Sequence, residues 1–273
     1  DFSEKAIHSY LFEQVVHGHT SGFSEGDERE EAGGPQAASA KGVILVNSRG
    51  NGSADIVLRD TKIRVAAASH NRDADENKEE NTEPATREME IPPMILSGMK
   101  EDGSGVGAGN PQEAMIRLLF PLPGKNLKVN EIAEMPTRVP LNLGGTKLTA
   151  TGKTRLMLAR YVKVDDIPCA QLAGQIDISD LETPDGLRGE YSCKARGAGI
   201  FLFDIEGRRF VYARVALLLS YRIDAPAQAM ASPGDGQPKK DERITMSAVT
   251  DNLLTVTLQK PPDAAPTEEP ATP

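Results

Sequence analysis

Apolar and polar residues alternate along most of this chain, and the alternation is most regular after Lys153. In the early run SYLFEQVVHGHT, Tyr10, Phe12 and Val16 fall on one side of an extended strand, because side chains in a strand repeat every second position. GVILVNS and ADIVLRDTKIRVAAA continue the pattern, and Asn51-Gly52 between them predicts a β-hairpin over residues 42–69. Five further runs follow one another: KTRLMLARYVKV, PCAQLAGQIDI, EYSCKARGAGIFLFDI, RFVYARVALLLSYRI and ITMSAVTDNLLTVTL. Thr154, Leu156, Leu158, Val162 and Val164 share a face in the first, and Ala170, Leu172, Ile176 and Ile178 in the second, which predicts an antiparallel meander over 153–260.

Glu206 and Gly207 separate the third and fourth runs, so a tight hairpin is expected with Phe203 opposite Val211. The fourth run is apolar on both sides, with Val211, Val215, Leu217, Leu219 and Ile223 on one and Phe210, Tyr212, Ala216 and Leu218 on the other. That suits a central strand covered on both faces. The cover is expected from NPQEAMIRLLF, a short helix in which Asn110 caps, Pro111 takes the first position, Glu113 completes a capping box and Pro121 stops propagation. The fold class is therefore mainly β: a large curved antiparallel meander, half-barrel or open barrel, with one short covering helix. Two sandwiched β-sheets are the alternative.

Composition divides the chain further. Residues 24–41 and 70–90 are acidic and nearly devoid of apolar side chains, which predicts flexible loops, and 261–273 is a proline-rich acidic tail predicted to be disordered. An N-terminal strand is expected over 1–23 and a mixed segment with the short helix over 91–152. The apolar share of 38% lies below the roughly 45–50% usual for globular chains, in keeping with these insertions. A net charge of −9 disfavours a nucleic-acid partner, whose phosphates it repels. No run reaches the roughly 18 apolar residues of a spanning helix, so the chain is not expected to span a membrane by one. Asp1 stands where Met would begin a primary product, which fits a mature chain after signal-peptide removal or a fragment, and both readings stay open.

Candidate chemistry is sparse. His17 and His19, two apart on a strand, project from one face with Glu13, a weak zinc-type set set against the simpler reading of a solvated polar face. Asp73, Asp75 and Asn77 imitate the opening of a calcium loop, but Lys78 and Pro84 occupy the positions of its glycine and bidentate glutamate. Gly103, Gly105 and Ala108 match the spacing of a dinucleotide loop without the strand-helix-strand unit around it. Cys169 and Cys193 are candidates for a disulfide only if a bend or altered register brings together sites about 20 Å apart in a simple hairpin, since a bridge needs Cα atoms within roughly 7 Å. Asp165 with Asp166, and Asp177 with Asp180, are paired carboxylates that read better as turn residues. The four histidines, at 8, 17, 19 and 70, precede the meander and no G-x-S-x-G turn is present, so the chain is expected to have no catalytic residues and no cofactor.

RLLFPLPGKNLKVNEIAEMPTRVPLN, GTKLTATGKTRLMLARYVKVDDIPCAQLAGQIDI and GEYSCKARGAGIFLFDIEGRRFVYARVAL together resemble a broad group of uncharacterised exported bacterial envelope proteins. In architecture the meander is similar to the curved-sheet lipoprotein carriers of the LolA and LppX type, whose concave face shelters acyl chains. The resemblance implies export to the periplasm, outer envelope or medium. The expected role is non-enzymatic binding of an apolar ligand or envelope protein partner through the curved sheet. A structural subunit of an envelope or surface assembly is the alternative, and a hydrolase of unrecognised type a remote one.

Overall fold

The computed structural model describes residues 2–24, 35–66, 86–100, 111–143, 146–184, 187–226 and 243–259. Eleven strands and one helix follow in the order β1 (Lys5–Ser24), β2 (Pro35–Arg49), β3 (Ser53–Ala66), β4 (Thr86–Ile91), β5 (Met94–Lys100), α1 (Pro111–Leu119), β6 (Ile132–Leu143), β7 (Thr146–Val164), β8 (Ile167–Glu182), β9 (Glu190–Asp204), β10 (Arg209–Pro226) and β11 (Arg243–Leu258). All the strands belong to one antiparallel sheet, in the order β4-β3-β2-β1-β11-β10-β9-β8-β7-β6, with β5 also on β3. The sandwich alternative is thereby set aside, and the open sheet is left with β6 at one edge and β4 and β5, side by side on β3, at the other. β7 to β11 are successive neighbours, the meander expected from their alternation. No helix among the described residues is long and apolar enough to cross a membrane.

Inward-facing residues of the sheet and α1 build one core. Tyr10, Phe12, Ile44, Leu156, Phe201 and Val215 are buried in it, as are Ile116 and Leu119 of the helix. α1 begins at Pro111, as proline's fixed φ favours, and covers the inner face beside β6, β10 and β11.

Several boundaries and faces differ from expectation. β2 starts at Pro35 and β4 at Thr86, so parts of the 24–41 and 70–90 stretches are strand; pairing with β1 and β3 supplies the backbone partners that their polar side chains do not advertise. A register shift between Leu158 and Arg160 turns Val162 and Val164 away from the face of Leu156 and Leu158. A second, between Phe210 and Tyr212, makes Phe203 pair with Phe210 instead of Val211 and carries Phe210 into the core. Among the described residues nothing covers the other face of β10, and Leu218 there is 47% exposed.

The turns follow their residue chemistry. β2 and β3 are joined through Gly50 and Gly52, at φ 76° and 77°, around Asn51. Asp165 and Asp166, at φ 46° and 66°, form the two-residue link between β7 and β8. Aspartate tolerates the left-handed region and a primed turn requires it at both positions, so the turn reading of this pair holds. Asp177 and Asp180 depart from that reading: both lie within β8, opposite Lys153 and Thr151.

Candidate binding site

The last strand stops short of its neighbours. β11 pairs Leu258 with Tyr10 and Thr257 with Tyr212, and its last described bond runs from the Gln259 N–H to the Ser9 carbonyl at 2.8 Å. β1 continues past that point through Lys5–Ser9, and β10 through Arg209–Val211. Among the described residues a notch therefore separates β1 and β10, about two strand spacings or roughly 9–10 Å wide.

On the inner side of the notch, under α1, aromatic rings converge. Phe120 lies 5.1 Å from Tyr10 and 5.6 Å from Phe210, and Phe203 meets Phe210 edge-on at 5.2 Å. Burial raises the Tyr10 hydroxyl pKa far above its usual range, so this ring is a neutral wall at any physiological pH. Between these rings and Phe2, Met99 and Leu122 is a cleft of about 60 Å³, bordered by His8, Lys100, Arg117, Arg208 and Arg209. On the outer side lies a wider trough of about 960 Å³, lined by apolar Ile7, Leu45, Leu202, Val211, Tyr212 and Leu258. His8 and Arg209 line both spaces.

Arg209 is held from behind. Its Nε lies 3.3 Å from Oδ2 of buried Asp204, yet forms no hydrogen bond among the described residues. Asp204 Oδ1 instead accepts from the Gly207 N–H at 2.8 Å, which fixes the β9–β10 turn. His8 is half-buried, and desolvation, followed by the nearby Arg209 charge, pushes its pKa down and keeps the imidazole neutral. The arrangement offers apolar surface with a cation at its centre.

The residues singled out by sequence lie elsewhere. His17 and His19 do share a face with Glu13, but it is the outer one, where Glu13 pairs with Lys41 at 2.6 Å and His17 stands opposite Asp251. No group of three or more metal-ligating side chains occurs among the described residues. Cys169 and Cys193 are separate buried thiols. Cys169 is opposite Asp204, eleven positions along β9 from Cys193, or roughly 36 Å at strand rise, so no bend brings them to bonding distance. His70, Asp73, Asp75, Asn77, Gly103, Gly105, Ala108, Asn110 and the 261–273 tail fall outside the described residues.

Sequence reasoning passed over Arg209 and gave His8 no role. The available signal was the segment FDIEGRRF, a turn with two arginines between phenylalanines, which juxtaposes cations and rings at a hairpin tip. No protein-family model matches the chain, and neither does any curated protein.

Proposed function

We propose that this protein is a non-enzymatic binder of an apolar ligand, exported to the envelope or medium, and that the ligand occupies the trough and cleft on either side of the notch. The trough carries the reading: at about 960 Å³ with mainly apolar walls, it has the volume and lining of a ligand site. Ile7, 71% exposed at its edge, is otherwise costly to leave in water. Native mass spectrometry of the protein purified from its source tests this. A co-purifying apolar molecule lost on Ile7→Asp supports the proposal, and a consistently ligand-free protein that also fails to take up added amphiphiles defeats it.

A second reading, attachment to a protein partner, draws on a different surface. Across the middle of the outer face Leu11, Val15, Ile200, Leu218 and Val249 are all at least 38% exposed on neighbouring strands. Asp251 and Arg196 stand on either side of Leu218 and Arg214 stands opposite Ile200, so the surface sets apolar side chains among charges, as non-obligate protein contacts do. Chemical crosslinking in native envelopes, followed by loss of the crosslinked species on Leu218→Glu, separates this reading from small-ligand binding.

A further inference from the structure

One row of outward side chains on the sheet carries a pattern of signs. Across β1, β11, β10, β9 and β8 it runs His17, Asp251, Leu218, Arg196 and Asp177, each the cross-strand partner of the next. All five are exposed. Among the described residues the side chains of His17, Asp251, Arg196 and Asp177 make no hydrogen bond or ion pair. Reversed, the row is its own complement: Asp251 comes to stand over Arg196, His17 over Asp177, and Leu218 over Leu218.

A second copy of the chain can present that reversed row. In a face-to-face pair the two-fold axis lies between the sheets, and the same patch serves both copies. An axis running along β10 past Leu218 flanks the central leucines with Asp251 and Arg196 of opposite copies on both sides. An axis running across the strands would set Asp251 on Asp251 and Arg196 on Arg196, and like charges in contact are strongly disfavoured. The charges therefore choose the first axis.

The neighbouring row, Val15, Leu253, Ala216 and Ala198, follows the same reversal. It lays Leu253 over Ala198, large on small, and Ala216 over itself, which lets two sheets interdigitate at the usual separation of about 10 Å. A shallow hollow of about 420 Å³, bordered by Val15, Ala216, Leu218 and Leu253, is the space so filled. One row further on, Arg214 lies on the axis and faces its own copy, a cost that suits a non-obligate contact. Although the chain carries a net charge of −9, the centre of this face is balanced, with Asp251 and Asp177 against Arg196 and Arg214.

We propose that the partner of the outer face is a second copy of this chain, bound sheet to sheet about a two-fold axis along β10, with Leu218 at the centre and Asp251–Arg196 pairs on either side. The proposal rests on the protein-contact reading above and names the partner. The contact closes on itself, so it stops at two copies.

Sedimentation equilibrium of the full chain, over a series from about 1 µM to 1 mM, tests this. A monomer–dimer equilibrium without larger species is expected. Arg196→Asp and Asp251→Arg, both at exposed positions and checked for folding by circular dichroism, should each weaken dimerisation by about tenfold or more. An equimolar mixture of the two variants should regain the wild-type midpoint to within about threefold, because each copy then offers the sign that the other lacks. Arg214→Gln, which removes the like-charge meeting on the axis, should shift the midpoint to lower concentration. A dimer that neither single variant weakens, or variants that associate no better mixed than alone, overturns the proposed interface. A chain that stays monomeric throughout, while its crosslinks in native envelopes still depend on Leu218, overturns the second copy and keeps the protein-contact reading. A monomer with no such crosslink overturns both.

Discussion

At the scale of single residues, the sheet depends on contacts that no local pattern specifies. Gly174 and Gly199 stand opposite each other on β8 and β9, and the Phe201 ring lies over both; a Cβ on Gly199 would meet that ring at 2.6 Å. The glycines leave the space that the ring fills, so they behave as one packing unit. Phe201→Ala should cost about 3–5 kcal/mol through lost burial and the cavity left behind, and Gly199→Ala about 1–3 kcal/mol through overpacking, both read from urea midpoints at unchanged m. His8 supplies a pH effect. Its folded pKa lies below 6.5, so the unfolded chain takes up the proton first as pH falls. The contribution is neutral above that range and becomes destabilising as pH drops through 6.5 towards the folded value. His8→Gln should flatten this part of the stability profile in urea titrations between pH 8 and 5. The two thiols are inert by the same reasoning: burial raises both pKa values, so neither should react with a thiol reagent until the protein is unfolded.

At the scale of elements, the two sheet edges show how the protein avoids pairing with itself. β6 carries Pro136 and Pro140, four residues apart and hence with their nitrogens on the same side of the strand. Its ladder with β7 runs without a shift, so the missing N–H groups lie along the free edge. β4, which forms the other edge together with β5, presents exposed Arg87, Glu88 and Glu90. Restoring donors with Pro136→Thr/Pro140→Thr should leave the chain folded but introduce concentration-dependent association beyond two copies, visible in sedimentation velocity. The helix is the converse case. At nine residues α1 is too short to persist alone, and it is held by Ile116 and the completely enclosed Leu119. Leu119→Ala should therefore destabilise by about 2–5 kcal/mol.

Much of this level was legible in the sequence. Alternation located the meander strands, proline at the first helical position marked the start of α1, and Asp165-Asp166 was a turn by its chemistry. β6 was missed because its two prolines argue against a strand, and the reason they are tolerated, a free edge, is a property of its place in the sheet. The starts of β2 and β4 were missed because their polar side chains carry no burial signal, while the hydrogen bonds that order them come from β1 and β3.

At the scale of the whole molecule, the decisive feature is that the chain ends meet in the middle. β11 lies between β1 and β10, and so joins the β1–β5 half of the sheet to the β6–β10 half. Such distant pairing makes folding slow, since the closure entropy must be met before the contacts form. Removal of residues 243–259 should abolish the cooperative transition, as judged by circular dichroism and tyrosine fluorescence, instead of trimming an edge. The candidate site is a consequence of the same closure: the notch exists because β11 ends at Leu258 while both neighbours continue.

By itself the sequence determined which segments are extended, which is helical and where several turns fall, because these depend on side-chain period and on φ preferences within a few residues. Only the tertiary structure decided the strand order, the bulges that move Phe210 inward and Val164 outward, and the meeting of Arg209 with His8 and the aromatic cluster. Every strand offers the same backbone donors and acceptors, so partner and register are settled by packing across the whole sheet, and a site made by the ending of one strand between two others cannot be read along the chain.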